Sequence, residues 1–170
     1  MLRPALVSAI AAALTLAGTP GAPAVTNASA IIKWPPWLSI ESPVNPFDRA
    51  NHGAVLLVHA MMHDAVPTVG DLTATAEGIV SGQRRTVSLR LDTTSQAGVF
   101  ALRRQWPTEG DWLLRITLAR STTALVTLDG SGDVASVRVP TRVSSDVALP
   151  RPVAAREIDS VLAVLASQRR

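Results

Sequence analysis

Imidazole and thioether side chains are concentrated in one short segment of the chain. The segment between positions 52 and 63 holds all three histidines, His52, His59 and His63, together with Met61 and Met62. Such a set suits copper, because soft sulfur favours Cu(I) and imidazole also accepts Cu(II). On an extended strand His59 and Met61 share one face about 7 Å apart, whereas His59 and His63 lie about 13 Å apart. The segment therefore predicts a copper site that uses His59 and Met61 and is completed by His63, Met62 or His52.

A structural interpretation of the same segment stays open. His63 joins the site only if the strand ends near Met61 and the chain then turns back. The segment lacks the fixed ligand spacing that makes zinc motifs specific. In this alternative Met62 belongs to the core, and His59 and His63 are ordinary polar residues of a strand and a loop.

The four tryptophans form two pairs that could bind a partner. Trp34 and Trp37 flank two prolines, and Trp106 and Trp112 flank a turn. Exposed indoles at such positions provide an aromatic platform for a sugar or a peptide. The alternative is packing, since tryptophan is mostly buried and this chain has only two phenylalanines and no tyrosine.

Catalytic and nucleotide-binding motifs are not indicated by the sequence. No Gly-x-Ser-x-Gly elbow occurs, and Glu109 and Asp111 flank a glycine in a turn, where acids are commonly solvated. The segment 130–135 has the glycine spacing of a dinucleotide site, but an alternating, β-branched stretch follows it where a helix is required. We therefore predict no catalytic residues, no enzyme and, outside the copper alternative, no cofactor.

Two-residue periodicity dominates the region that must position these side chains. Alternating or continuously apolar stretches separated by turn residues predict about seven or eight short strands in an immunoglobulin-like β-sandwich over residues 37–139. The expected strands are 37–42, 54–61, 71–80, 87–91, 99–103, 112–118, 123–128 and 134–139. Residues 140–152 are expected to be a linker, and 153–170 an amphipathic helix that packs on the sandwich or docks a partner.

The first thirty residues have the profile of a signal peptide. Arg3 is followed by an apolar run that is shorter than the roughly 20 residues of a membrane-spanning helix. Small residues place cleavage after Ala30 or Ala24, and residues 31–46 form a Pro- and Trp-rich extended lead-in. We expect a bacterial protein that is exported, either periplasmic or secreted, with no permanent transmembrane segment after cleavage.

Composition narrows the function classes further. The chain of 170 residues has no cysteine, which excludes a disulfide and a lipid attached through cysteine. Its formal net charge is only +3, and no basic run is longer than two residues. Nucleic-acid binding needs a concentrated positive surface, so we do not expect nucleic acid as a partner.

One stretch resembles a known family. Residues 98–118 contain glycine and an aromatic residue at the start of one strand, then Pro107, Gly110 and Trp112-Leu-Leu on the next. This pattern resembles the YtkA-like and FixH-like family of exported immunoglobulin-like domains. The resemblance implies an immunoglobulin-like fold. Because such domains are linked to copper delivery or to assembly of membrane oxidases, it also implies one of these two functions. The chain differs from copper carriers of this type in lacking a Met-rich segment and a histidine near its expected mature N-terminus.

Two functions follow from these observations. The leading hypothesis is a non-enzymatic exported module that docks another envelope protein through a sheet face, the Pro-Trp segment or the C-terminal helix. The alternative is a periplasmic copper carrier or chaperone that uses the histidines and methionines of residues 52–63.

Overall fold

The computed structural model describes residues 34–168. The predicted signal peptide 1–30, its cleavage after Ala30 or Ala24, and the first residues of the lead-in lie outside the described residues. Within them the chain forms eleven strands, one short 3-10 helix at Val69–Asp71 and one α-helix. The elements are β1 Trp37–Glu41, β2 Ala54–Met61, β3 Leu72–Val80, β4 Gln83–Leu89, β5 Asp92–Thr93, β6 Val99–Arg103, β7 Asp111–Leu118, β8 Thr122–Leu128, β9 Val134–Arg138, β10 Thr141–Ser144, β11 Val147–Pro150 and α1 Ala155–Gln168.

Nine of these strands form two antiparallel sheets. Sheet A has the strand order β1-β2-β6-β5, and sheet B has the order β4-β3-β7-β8-β9. Their inner faces enclose one hydrophobic core that draws on both sheets. This arrangement confirms the all-β, immunoglobulin-like sandwich with a short C-terminal helix.

Strand β7 shows why the sequence folds this way. Its side chains alternate, so Trp112, Leu114 and Ile116 are buried between the sheets while Arg115 and Thr117 lie on the outer face of sheet B. The indole of Trp112 covers Gly78 on β3, where an added Cβ would lie 2.6 Å from the ring atom Cε3. The close approach of this strand pair therefore requires glycine at position 78.

The expected helix is present and packs against the sandwich. On α1, Ile158 and Leu162 are buried against Leu113 of β7 and Leu125 of β8, on the outer face of sheet B. The structure thus shows the packing alternative for this helix. Burial of an amphipathic face against a sheet supplies the stability that a helix of 14 residues lacks in isolation.

Residues 140–152, predicted as a linker, contain a hairpin. Strands β10 and β11 pair with each other and are joined by Ser145 and Asp146, whose φ angles are 48° and 65°. Two consecutive positive φ values define the tight turn that Asn-Gly favours, so Ser-Asp gave no sequence signal for it. The two-residue strand β5 was missed as well, and β4 begins at Gln83 rather than at position 87.

Candidate functional site

Strand β2 places part of the histidine and methionine set on the outer face of sheet A. Leu56, Val58 and Ala60 are buried in the core, so the intervening His59 and Met61 point away from it. The pair lies two residues apart on one face, as the sequence predicted. Met61 is 55% exposed. These two side chains are the first two members of the candidate site.

Strand β1 brings two more functional groups to the same face. Trp37 pairs directly with Met61, and Ser39 with His59, in the antiparallel register of β1 and β2. Glu41 then lies diagonally from His59, and its Oε2 is 2.9 Å from the imidazole Nε2. We call Trp37, Met61, His59 and Glu41 the sheet A patch. It combines an aromatic ring, a thioether and a half-exposed acid–imidazole pair.

The other predicted ligands are not part of this patch. Met62 packs against the core cluster, while His63 and His52 are exposed in the segments that follow and precede β2. A strand of eight residues is about 27 Å long, so these two histidines lie near opposite ends of it. Among residues 34–168, no three histidine, cysteine, aspartate or glutamate side chains are grouped so that they could hold a metal ion. Of the predicted copper set, His59 and Met61 are the two residues that lie on the outward face of β2 itself.

The tryptophans divide into two exposed and two buried residues. Trp34 and Trp37 are 55% and 43% exposed, whereas Trp106 and Trp112 are 4% and 2% exposed. The Nε1 atom of Trp112 donates to the carbonyl oxygen of Glu109 at 2.9 Å. Trp106 and Trp112 thus pack in the core between the sheets, as in the packing alternative stated above. A partner can reach only Trp34 and Trp37 of the four.

A loop between β1 and β2 adds an aromatic residue that sequence reasoning missed. Phe47 is 89% exposed, and its backbone N–H donates to the Oδ1 atom of Asn45 at 3.0 Å. The Asp48 carboxylate accepts hydrogen bonds from Asn51 and from the backbone of Ala50, and the Asn51 side chain is the main reason why the pKa of Asp48 is lowered. Short polar side chains bonded to their own backbone commonly build such turns. The Asn-Pro pair before Phe47 was the available signal, but it indicates a turn and says nothing of exposure.

The same loop covers one part of the outer face of sheet A. Val44 packs with Ala54 on a small apolar cluster formed by Leu57, Val99 and Ala101. These three side chains are 5% exposed or less. Cover from the loop thus stops short of the sheet A patch, whose Trp37 and Met61 remain accessible.

The outer face of sheet B has a different chemistry. Glu77 on β3 has a buried side chain, and its carboxylate lies 2.6 Å from Nη2 of Arg84 and 3.4 Å from Nη2 of Arg115. Arg84 also donates through Nη1 to Asp159 of α1 at 2.5 Å. Its hydrogen bond to Glu77, followed by that to Asp159, raises the pKa of the Arg84 guanidinium. The arginine therefore links a buried carboxylate of the sheet to the helix above it.

Comparison with known proteins gives no relative. No protein-family model, no curated protein and no solved structure matches this chain. Across residues 34–168, no helix combines the length and the apolar character that a membrane crossing requires.

Proposed function

We propose that this chain is an exported, non-enzymatic accessory module that docks another envelope protein through the sheet A patch and through Trp34, which precedes β1 in the chain. The observation that carries the proposal is the exposed cross-strand pair of Trp37 and Met61. Tryptophan and methionine are enriched at protein interfaces, and tryptophan is prominent among the residues that dominate binding energy. The pair lies on the part of the outer face of sheet A that the loop between β1 and β2 leaves uncovered.

The surroundings of this pair support docking of a protein. Strand β1 is an edge strand of sheet A, so part of its backbone hydrogen-bonding capacity faces away from β2. The hydrogen-bonded side chains of His59 and Glu41 border the aromatic and thioether groups with polar atoms. An apolar centre with a polar rim is the usual anatomy of a protein interface.

Site-specific photo-crosslinking in the cells that make the protein tests the proposal. A photoreactive phenylalanine derivative replaces Trp37, and the matched control replaces Ser88, an exposed residue of β4 on the other sheet. We expect a discrete adduct with one envelope protein from position 37 and none from position 88. The additional substitution Met61→Ser should reduce that adduct. Equal labelling from both positions, or no adduct from position 37, would contradict docking through this face.

Copper binding is the second candidate, and the shared face of His59 and Met61 is the observation that favours it. The imidazole Nδ1 and the thioether sulfur are the donors that this face offers, because Nε2 is engaged by Glu41. Titration of the processed protein with Cu(I) and Cu(II) separates the candidates. If the protein is a copper carrier, the variants His59→Ala and Met61→Leu should bind copper much more weakly, and His52→Ala should bind it as the parent protein does. Copper affinity that survives replacement of all three histidines by alanine eliminates the carrier.

A further inference from the structure

A groove runs between α1 and the outer face of sheet B, on the side of the sandwich opposite to the sheet A patch. It has a volume of about 410 Å³, within the range of ligand sites in proteins. Its apolar walls are Leu125 of β8 with Val161 and Val164 of α1, and Val164 is 55% exposed. Packing of the helix over β3 and β7 leaves this groove open beside β8 and β9.

The charge in the groove is positive. Arg138 of β9 lines it and is exposed, and its charge helps to lower the pKa of Glu157 across the groove. Among residues 34–168, however, Arg138 donates no side-chain hydrogen bond and lies within salt-bridge distance of no acid. The acid of the groove, Glu157, is held by both terminal nitrogens of Arg151, at 2.8 and 2.7 Å. A guanidinium that is free to form charge-assisted hydrogen bonds prefers a carboxylate. The groove therefore complements an anionic group that lies next to an apolar one.

The strand at the groove adds a backbone binding surface. Within residues 34–168, β9 is the last strand of sheet B and pairs with β8 alone, so alternate residues of β9 direct N–H and C=O groups away from the sheet. In the register with β8, Arg138 lies opposite Leu125. An extended chain that pairs with β9 would thus run past the groove, and every second side chain would face it.

We propose that the groove binds an extended peptide segment of another protein, which adds to β9 as a sixth strand of sheet B. A carboxylate of the segment pairs with Arg138, and an adjacent aliphatic side chain packs on Leu125, Val161 and Val164. Strand addition supplies affinity through the backbone, and the pocket beside the strand supplies specificity. A phospholipid surface has no backbone groups to pair with the free edge of β9, which favours a peptide as the occupant.

Selection from a display library of random decapeptides tests this proposal with the purified, processed protein. We expect the selected peptides to share an acidic residue next to an aliphatic one. Fluorescence anisotropy should show at least about tenfold weaker binding of these peptides to Arg138→Glu, because the charge reversal removes the carboxylate partner. The matched control is Arg85→Glu, an exposed arginine on β4 at the other edge of sheet B, which should bind normally.

Further measurements locate the bound peptide and separate the two proposed surfaces. Amide resonances of residues 134–138 should shift on titration, and Val164→Glu should weaken binding while circular dichroism shows an intact fold. The variant Trp37→Ser should bind the peptides normally. A result against the groove proposal is therefore distinguishable from a result against docking at the sheet A patch. The proposal is overturned if no peptide binds more tightly than about 1 mM. Peptides that bind Arg138→Glu equally well, or anionic phospholipid vesicles that show this dependence on Arg138 in place of peptides, would also overturn it.

Discussion

The two sheets both direct apolar side chains outward, away from the core, but these side chains differ in how far they are buried. On sheet B, Leu113 is completely buried because α1 lies over it. On sheet A, Met61 also points outward and remains 55% exposed, because the loop between β1 and β2 covers only the neighbouring cluster. Burial outside the core is thus decided by the segment that crosses a face. Cover by α1 contributes stability to sheet B and leaves only the groove beside β8 and β9 open. On sheet A, Trp37 and Met61 stay uncovered and are available for binding.

The largest expected effect on stability comes from shortening one outward side chain on each sheet. Leu113→Ala should lower the free energy of unfolding by about 2–5 kcal/mol, since it removes buried apolar contact and leaves a cavity under α1. Met61→Ala should change it by no more than about 0.5 kcal/mol. Urea unfolding followed by circular dichroism measures both values. Similar losses in the two variants would show that the faces are equally buried in solution.

The ion network beneath α1 should give the next largest effect. Arg84→Leu leaves the buried Glu77 carboxylate with only the more distant Arg115, so we expect a loss of about 1–3 kcal/mol in the free energy of unfolding. The double variant Arg84→Leu with Glu77→Leu should recover part of that loss, because it leaves no unpaired buried charge. If the double variant is less stable than Arg84→Leu, Glu77 contributes by another route.

Acid should weaken the covered face through Glu157. Its hydrogen bonds with Arg151, and then with the backbone of Ala154, lower the pKa of Glu157 from 4.5 to about 2. The folded-state pKa is the lower one, so this contribution to stability is complete above about pH 4.5 and is lost as pH falls towards 2. Thermal unfolding at pH 6 and pH 3 should show a smaller pH dependence in Glu157→Gln than in the parent protein. An unchanged pH dependence would mean that other carboxylates, such as Asp48, account for it.

The smallest expected effect on stability is at the sheet A patch. Trp37→Ser combined with Met61→Ser should leave the free energy of unfolding within about 0.5–1 kcal/mol of the parent, because about half of each side chain is exposed and neither belongs to the core. The same substitutions should abolish partner docking. A strongly destabilised double variant would instead indicate that these side chains serve the fold.

The sequence predicted those parts of the structure that depend on local alternation. The outward position of His59 and Met61 and the inward position of Trp112 both follow from two-residue periodicity. Which outward residue is covered depends on where α1 and the β1–β2 loop lie, and periodicity does not contain that information. For the same reason the exposure of Phe47 was missed. The hairpin of residues 141–150 escaped because its turn uses residues that seldom adopt positive φ.

The division of the four tryptophans gives the molecule two optical reporters. The fluorescence of the buried pair, Trp106 and Trp112, should have its maximum at short wavelength and resist quenching by iodide. The fluorescence of the exposed pair, Trp34 and Trp37, should have its maximum at longer wavelength and be quenched. Binding of a partner at the exposed pair would change only the long-wavelength part of the tryptophan fluorescence. The molecule thus carries its own spectroscopic signal for contact at that surface, with no added label.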